Sequence, residues 1–105
     1  VAFKVVFRPR AAEALDQLYT YISERGGADV ALGYVLKIEE QCARLAEMPE
    51  RAPVRPEVGP GVRVLSFRRR VSIAYRITGK VVEILGVFYG GRFMEGAIDD
   101  ESTSS

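Results

Sequence analysis

Between residues 51 and 76 the chain carries seven arginines, Arg51, Arg55, Arg63, Arg68, Arg69, Arg70 and Arg76, against one acid, Glu57. Three of them are consecutive in RVLSFRRRVSIAYRI, residues 63–77. Guanidinium groups gathered in this way make a positive surface and stabilise charge that develops on phosphate. They suit cleavage of a phosphodiester, contact with a nucleic-acid backbone, or docking of an acidic protein. Cleavage requires more than charge, because a base and an acid must move protons at the attacking and leaving oxygens. The sequence has no histidine, and an arginine with a pKa above about 12 is a poor proton shuttle. Proton transfer would fall to tyrosine, lysine, aspartate or glutamate. Neither a metal nor a cofactor is expected.

The elements that position these residues must share one core, since 105 residues suffice for one domain and not for two. No apolar run approaches the roughly 20 residues that span a bilayer, which predicts a soluble protein without membrane segment or signal peptide. The net charge of +1 conceals an asymmetry. Of the 14 acids, Asp99, Asp100 and Glu101 sit in the polar tail, leaving 11 against 15 bases, or +4, in residues 1–98. Residues 1–98 are expected to form the domain and residues 99–105 a disordered acidic tail.

FKVVF, residues 3–7, places Phe3, Val5 and Phe7 on one side, as a half-buried strand requires. Pro9 pre-sets a first helical turn, and Ala12, Leu15, Leu18, Tyr19 and Ile22 then recur at helical spacing until Gly26-Gly27. Asp29 is the expected cap of a second helix, whose stripe is Ala31, Tyr34, Val35, Ile38, Cys42 and Leu45 and which Pro49 ends. Cys42, the one cysteine, lies on that stripe as a buried thiol. Residues 50–61, with three prolines and two glycines, read as a connecting loop. Strand patterns follow at about 62–67, 70–77 and 81–89, close enough for an antiparallel meander.

Gly79-Lys80 suits a two-residue type II′ hairpin, which sets Arg76 opposite Glu83, Ile77 opposite Val82 and Tyr75 opposite Ile84. Continued without interruption, the register pairs Ile73 with Gly86, Val71 with Phe88 and Arg70 with Tyr89. Two arginines in left-handed backbone are unfavourable, so the preceding connection is expected to be a four-residue loop, Phe67–Arg70, with Val64 facing Ile73 and Val62 facing Tyr75. Val62, Val64, Val71, Ile73, Tyr75, Ile77, Val82, Ile84 and Phe88 then pack on the helices. Arg63, Leu65, Ser72, Ala74, Arg76, Glu83, Leu85, Val87 and Tyr89 form an open trough rimmed by arginine, suited to an acidic or amphipathic peptide.

The segments AAEALDQLYTYISERGGADVALGYVLKIEEQCARLAEMPER, GVRVLSF, VSIAYRI and VVEILGVFYGGR, taken in order, closely resemble the ParE branch of the RelE/ParE superfamily over about residues 3–95. The resemblance implies an α+β fold: an N-terminal strand, an antiparallel helical hairpin and a three-stranded antiparallel meander packed on the helices. It further implies the cytoplasmic toxin of a type II toxin–antitoxin, plasmid stabilisation-type module. Such a toxin inhibits DNA gyrase rather than acting as an enzyme, and a ParD-like antitoxin neutralises it in a hetero-oligomer. Sequence-specific nucleic-acid binding is not expected. The antitoxin is expected in the trough at Leu65, Ser72, Ala74, Arg76, Leu85 and Val87, and the target at Arg68, Arg69, Tyr89, Arg92 and Phe93. The alternative within the superfamily is a ribosome-dependent mRNA endoribonuclease using Arg63, Arg76, Tyr89 and Arg92. A non-toxic relic that still binds antitoxin is a third reading.

Overall fold

The computed structural model describes residues 2–90. Within it the expected order appears: β1 (Lys4–Phe7), α1 (Pro9–Gly26), α2 (Ala28–Arg44), β2 (Arg63–Phe67), β3 (Val71–Thr78) and β4 (Val81–Tyr89). The strands form one mixed sheet in the order β1-β4-β3-β2. The meander is antiparallel, and β1 joins it parallel to β4, with Val5 beside Val82 and Phe7 beside Ile84. Phe3, Val5 and Phe7 pack against the main core, as their alternation predicts.

Pro9 opens α1, and Ala11, Leu15, Leu18 and Ile22 are its buried residues. The stripe starts at Ala11 rather than Ala12, which is exposed. Gly27, at φ +94°, ends this helix by donating its N–H to Ser23 O and is itself the N-cap of α2. Asp29 therefore is not the cap. A glycine free to adopt positive φ turns the chain in one residue, so the second helix starts early and Asp29 falls in its first turn, where a negative charge suits the helix dipole.

The Gly79-Lys80 hairpin has the expected register through Tyr75–Ile84. Beyond it the register slips: Ala74 pairs with Gly86, Ile73 with Val87, Ser72 with Phe88 and Val71 with Tyr89. Leu85 is the extra residue of a β-bulge, and a one-residue insertion reverses the facing of everything after it. Val87 and Tyr89 turn toward the helices and Phe88 away, opposite to the uninterrupted alternation. A second one-residue shift arises at the arginine turn. Phe67 pairs with Val71, Arg70 N–H donates to Phe67 O, and Arg68 and Arg69 adopt φ +53° and +64°. The chain accepts the pair of left-handed arginines that local energetics disfavours. Leu65 and Phe67 consequently join the helical side, while Val62 and Val64 face away from it.

Both slips build a second core. Val58, Val62, Val64, Ala74 and Leu85 are buried together on the far face of the sheet, with Phe88 against them. Their cover is the segment at residues 50–61, which does more than connect. Val54 bridges Arg63, Arg55 N–H donates to Val62 O at 2.7 Å, and Arg76 Nε donates to Pro60 O at 3.1 Å. The open trough does not exist as drawn: Ala74 and Leu85 lie under this segment at 0% and 4% exposure, and Leu65 and Val87 face the helices.

The main core holds Cys42, fully buried, and Tyr75, whose hydroxyl donates to Pro49 O at 2.8 Å. Burial, aided by the charge of Glu39, pushes the Cys42 thiol from 9.0 up to about 12. Burial also raises Tyr75 and Tyr34 above the ordinary tyrosine value. Each group is neutral when protonated, so its contribution to stability is complete below the unfolded-state pKa and falls away as pH rises toward the folded one. For Cys42 that window runs from 9.0 to about 12. Urea unfolding should give a lower midpoint at each step above pH 9, and the native thiol should resist a disulfide reagent at neutral pH until the chain unfolds.

Candidate functional site

The bulge in β4 and the shifted arginine turn bring four aromatic rings together where β4 ends. Tyr89 meets Tyr21 of α1 edge-on at 5.5 Å between centroids and Tyr34 of α2 at 6.1 Å; Tyr34 in turn meets Phe67 at 6.1 Å. Cations lie on these rings. Arg25 is 3.7 Å from the centre of Tyr21, and Arg68 is 5.3 Å from Phe67 and 5.9 Å from Tyr34. Such contacts contribute about 0.5–1 kcal/mol each at exposed positions, enough to orient a guanidinium without immobilising it.

Beside this cluster a groove of about 570 Å³ runs between α1 and the end of β4. Ala14, Leu18 and Val87 supply apolar lining, Tyr21 and Tyr89 the rings, and Arg25 and Arg70 the charge. Burial, with Tyr89 adding to it, holds the Tyr34 phenol above its ordinary pKa against the opposing pull of Arg68 and Arg70. The phenol stays protonated at neutral pH and can donate to a carboxylate. An apolar floor, hydroxyls and guanidinium groups together fit a segment that carries both apolar and acidic side chains.

The expected residues divide sharply. Tyr89 and Arg68 come together through Tyr34, and Arg69 is exposed on the same turn. Arg92 and Phe93 lie outside the described residues. Arg63 and Arg76 do not join Tyr89: they sit on opposite faces of the sheet, each giving its guanidinium to a backbone carbonyl, Arg63 Nη1 to Ala52 O at 2.7 Å and Arg76 Nε to Pro60 O. Arg63 aligns with Tyr75 and Tyr89 with Val71, a separation of about 13 Å along the strands in addition to two strand spacings. Arg76 stands opposite Glu83 in register, but Glu83 pairs with Arg8 and accepts from Thr78. Arg55 is engaged with Glu57, whose carboxyl that hydrogen bond holds below its ordinary range. Ser72 stays half-buried on the far face.

Tyr21, Arg25 and Tyr34 were missed as site residues. Tyr21 offered a signal, since it is an aromatic residue off the buried stripe of α1, 42% exposed. Tyr34 offered none, because it lies on the apolar stripe of α2 and reads as core.

Three solved structures share this architecture and define its class, the RelE/ParE superfamily fold. A chain of the chromosomal ParDE toxin–antitoxin system of P. aeruginosa is 30% identical, with a TM-score of 0.76 over 85% of this chain and 97% of that one. A chain of the Mycobacterium tuberculosis RelBE2 toxin–antitoxin complex is 24% identical, at 0.60 over 85% and 99%. An E. coli RelE toxin mutant in the free state is 15% identical, at 0.65 over 99% and 97%; these last two bear on the fold alone. Comparison with curated proteins gave no match. The family model for the ParE toxin of the type II toxin-antitoxin system parDE matches residues 5–93, and the chain belongs to that family. No helix among the described residues is long and apolar enough to cross a membrane.

Proposed function

We propose that this ParE-family toxin acts by binding DNA gyrase and is neutralised in the cytoplasm by a ParD-like antitoxin that enters the tyrosine groove. The observation that carries the non-enzymatic reading is the separation of Arg63, Arg76 and Tyr89. A phosphodiester cannot contact cations on two faces of one sheet, and a nuclease needs its cations and its proton donor around one phosphorus. Family membership supports gyrase over the ribosome. The groove replaces the trough as the antitoxin's seat because it is open, whereas Ala74 and Leu85 are covered by the protein's own chain. Arg68 and Arg69 remain the exposed candidates for target contact, beside Tyr89.

Purified toxin assayed side by side on gyrase supercoiling and on ribosome-bound message should block the first and leave the second intact. Cleaved message with unimpaired supercoiling reverses the assignment. Replacing Arg68 and Arg69 by alanine should weaken gyrase inhibition while lowering stability by no more than about 2 kcal/mol, the sum of Arg68's contacts with the rings of Phe67 and Tyr34.

A further inference from the structure

Leu32 and Leu36 lie one turn apart on α2 and are 49% and 52% exposed, while Ala31, Ile38 and Cys42 fill the buried stripe of the same helix. At about 100° per residue, Asp29, Gly33, Leu36 and Glu40 fall opposite that stripe, with Leu32 and Arg44 flanking them. All six are exposed among the described residues. Gly33 sits in the interior of the helix, and a Cβ built on it meets no atom within 4 Å. Glycine is the poorest helix former after proline, and neither a turn nor a crowding neighbour within the described chain calls for it here. A mid-helix glycine beside two leucines leaves a notch through which another helix can approach closely. The charge on this face is ordered as well, with Asp29 in the first turn and Arg44 in the last.

We propose that this face binds a second copy of the chain, α2 against α2 and antiparallel, about a two-fold axis beside Leu36. Charge complementarity selects both the occupant and the direction. A parallel pair would set Asp29 against Asp29 and Arg44 against Arg44. The antiparallel pair centred beside Leu36 sets Asp29 of each copy against Arg44 of the other, twice by symmetry, and opposes the helix dipoles favourably. Lys37 then comes beside Glu40 of the other copy, and each Leu36 meets its counterpart over the notch at Gly33. Arg44 already holds Glu40 of its own helix at 3.7 Å, but an exposed pair of that kind is weak and the guanidinium has donors to spare. The 17 residues of α2 make a rod of roughly 25 Å. One face of such a rod buries less than the ~800 Å² per partner of a stable complex, so the dissociation constant should be on the order of 100 µM. The residues lining the tyrosine groove come from α1 and from the ends of β3 and β4, none from α2, so the pairing stands apart from the function proposed above.

Sedimentation equilibrium of the purified full chain, from about 10 µM to about 1 mM, reads the pairing directly. The average mass should climb from one chain toward two, and Leu36→Glu should weaken association at least about tenfold while leaving the thermal melt of the dilute protein in place. Gly33→Ala should move two readouts in opposite directions: the dilute protein melts about 4–8 °C higher, as a better helix former should make it, yet pairs several-fold more weakly because the notch is filled. Asp29→Arg and Arg44→Asp should each impair pairing alone, and an equimolar mixture of the two should restore it, since only the mixed dimer sets opposite charges together at both ends. One chain mass at every concentration overturns the proposal. So does association that Leu36→Glu leaves intact but Tyr21→Ala abolishes, which would place the contact in the tyrosine groove. A mixture no tighter than its components overturns the antiparallel register. None of these readouts involves gyrase or an antitoxin, so the pairing and the assigned target can fail independently.

Discussion

Ala74→Arg should unfold the domain, leaving no cooperative thermal transition and little soluble protein. Had the far face of the sheet been an open trough, the same change would have altered only the affinity for a partner. Ala74 is fully buried, opposite Gly86 in the sheet and packed with Val58, Val62, Val64 and Leu85. An arginine there must expel the segment at residues 50–61 or bury an unpaired charge. Overpacking costs about 1–3 kcal/mol and an uncompensated charge several more, which together rival the 5–15 kcal/mol that holds a domain of this size. Leu85→Ala gives a graded version that should still fold, with a loss of about 2–5 kcal/mol in urea unfolding. If it costs nothing, the second core is not a core.

The opposite sign is expected at the arginine turn. Arg68→Asn with Arg69→Gly replaces two left-handed arginines by the pair that such a turn prefers, Asn then Gly. Left-handed backbone costs a non-glycine residue roughly 1–2 kcal/mol, so relief at two positions, less about 1–2 kcal/mol for the lost ring contacts of Arg68, should leave a net gain of about 1 kcal/mol and a melting temperature a few degrees higher. It should also inhibit gyrase less well, because both guanidinium groups are gone. Strain retained in an exposed turn is a known mark of a functional site, and the paired readout examines that link directly. A more stable variant of undiminished potency would leave the strain without a functional explanation and remove Arg68 and Arg69 from the target surface.

The element order was legible because every element carries a strong local signal. Pro9 starts α1, Gly26-Gly27 ends it, Pro49 closes the exit from α2, and Gly79-Lys80 sets one hairpin and its first four pairs, through Tyr75 with Ile84. The candidate site was legible only in part, and two local decisions account for the difference. The bulge at Leu85 has no compositional mark, since Leu85-Gly86 fits an unbroken strand equally well; only the demand for Leu85 in the second core distinguishes them. The turn at Arg68-Arg69 ran against backbone preference, so the local rule pointed to a longer loop. Each slip reverses facing, and together they sent Val87, Tyr89 and Leu65 to the helical side. The proline-rich stretch at residues 50–61 looked like a connection by composition, yet Val58 in it is fully buried.

The parallel pairing of β1 with β4 joins Lys4 to Val81 and Phe7 to Ile84, across nearly three quarters of the sequence. Contacts so distant in sequence raise loop-closure entropy and slow folding, and a growing chain cannot make them until β4 has left the ribosome. The strand between β1 and β3 is the last of the sheet to be synthesised, and the tyrosine groove is walled by its final residues. The groove and its aromatic cluster thus come into being only after β4 has been translated. A partner already present in the cell meets a surface that has only just formed.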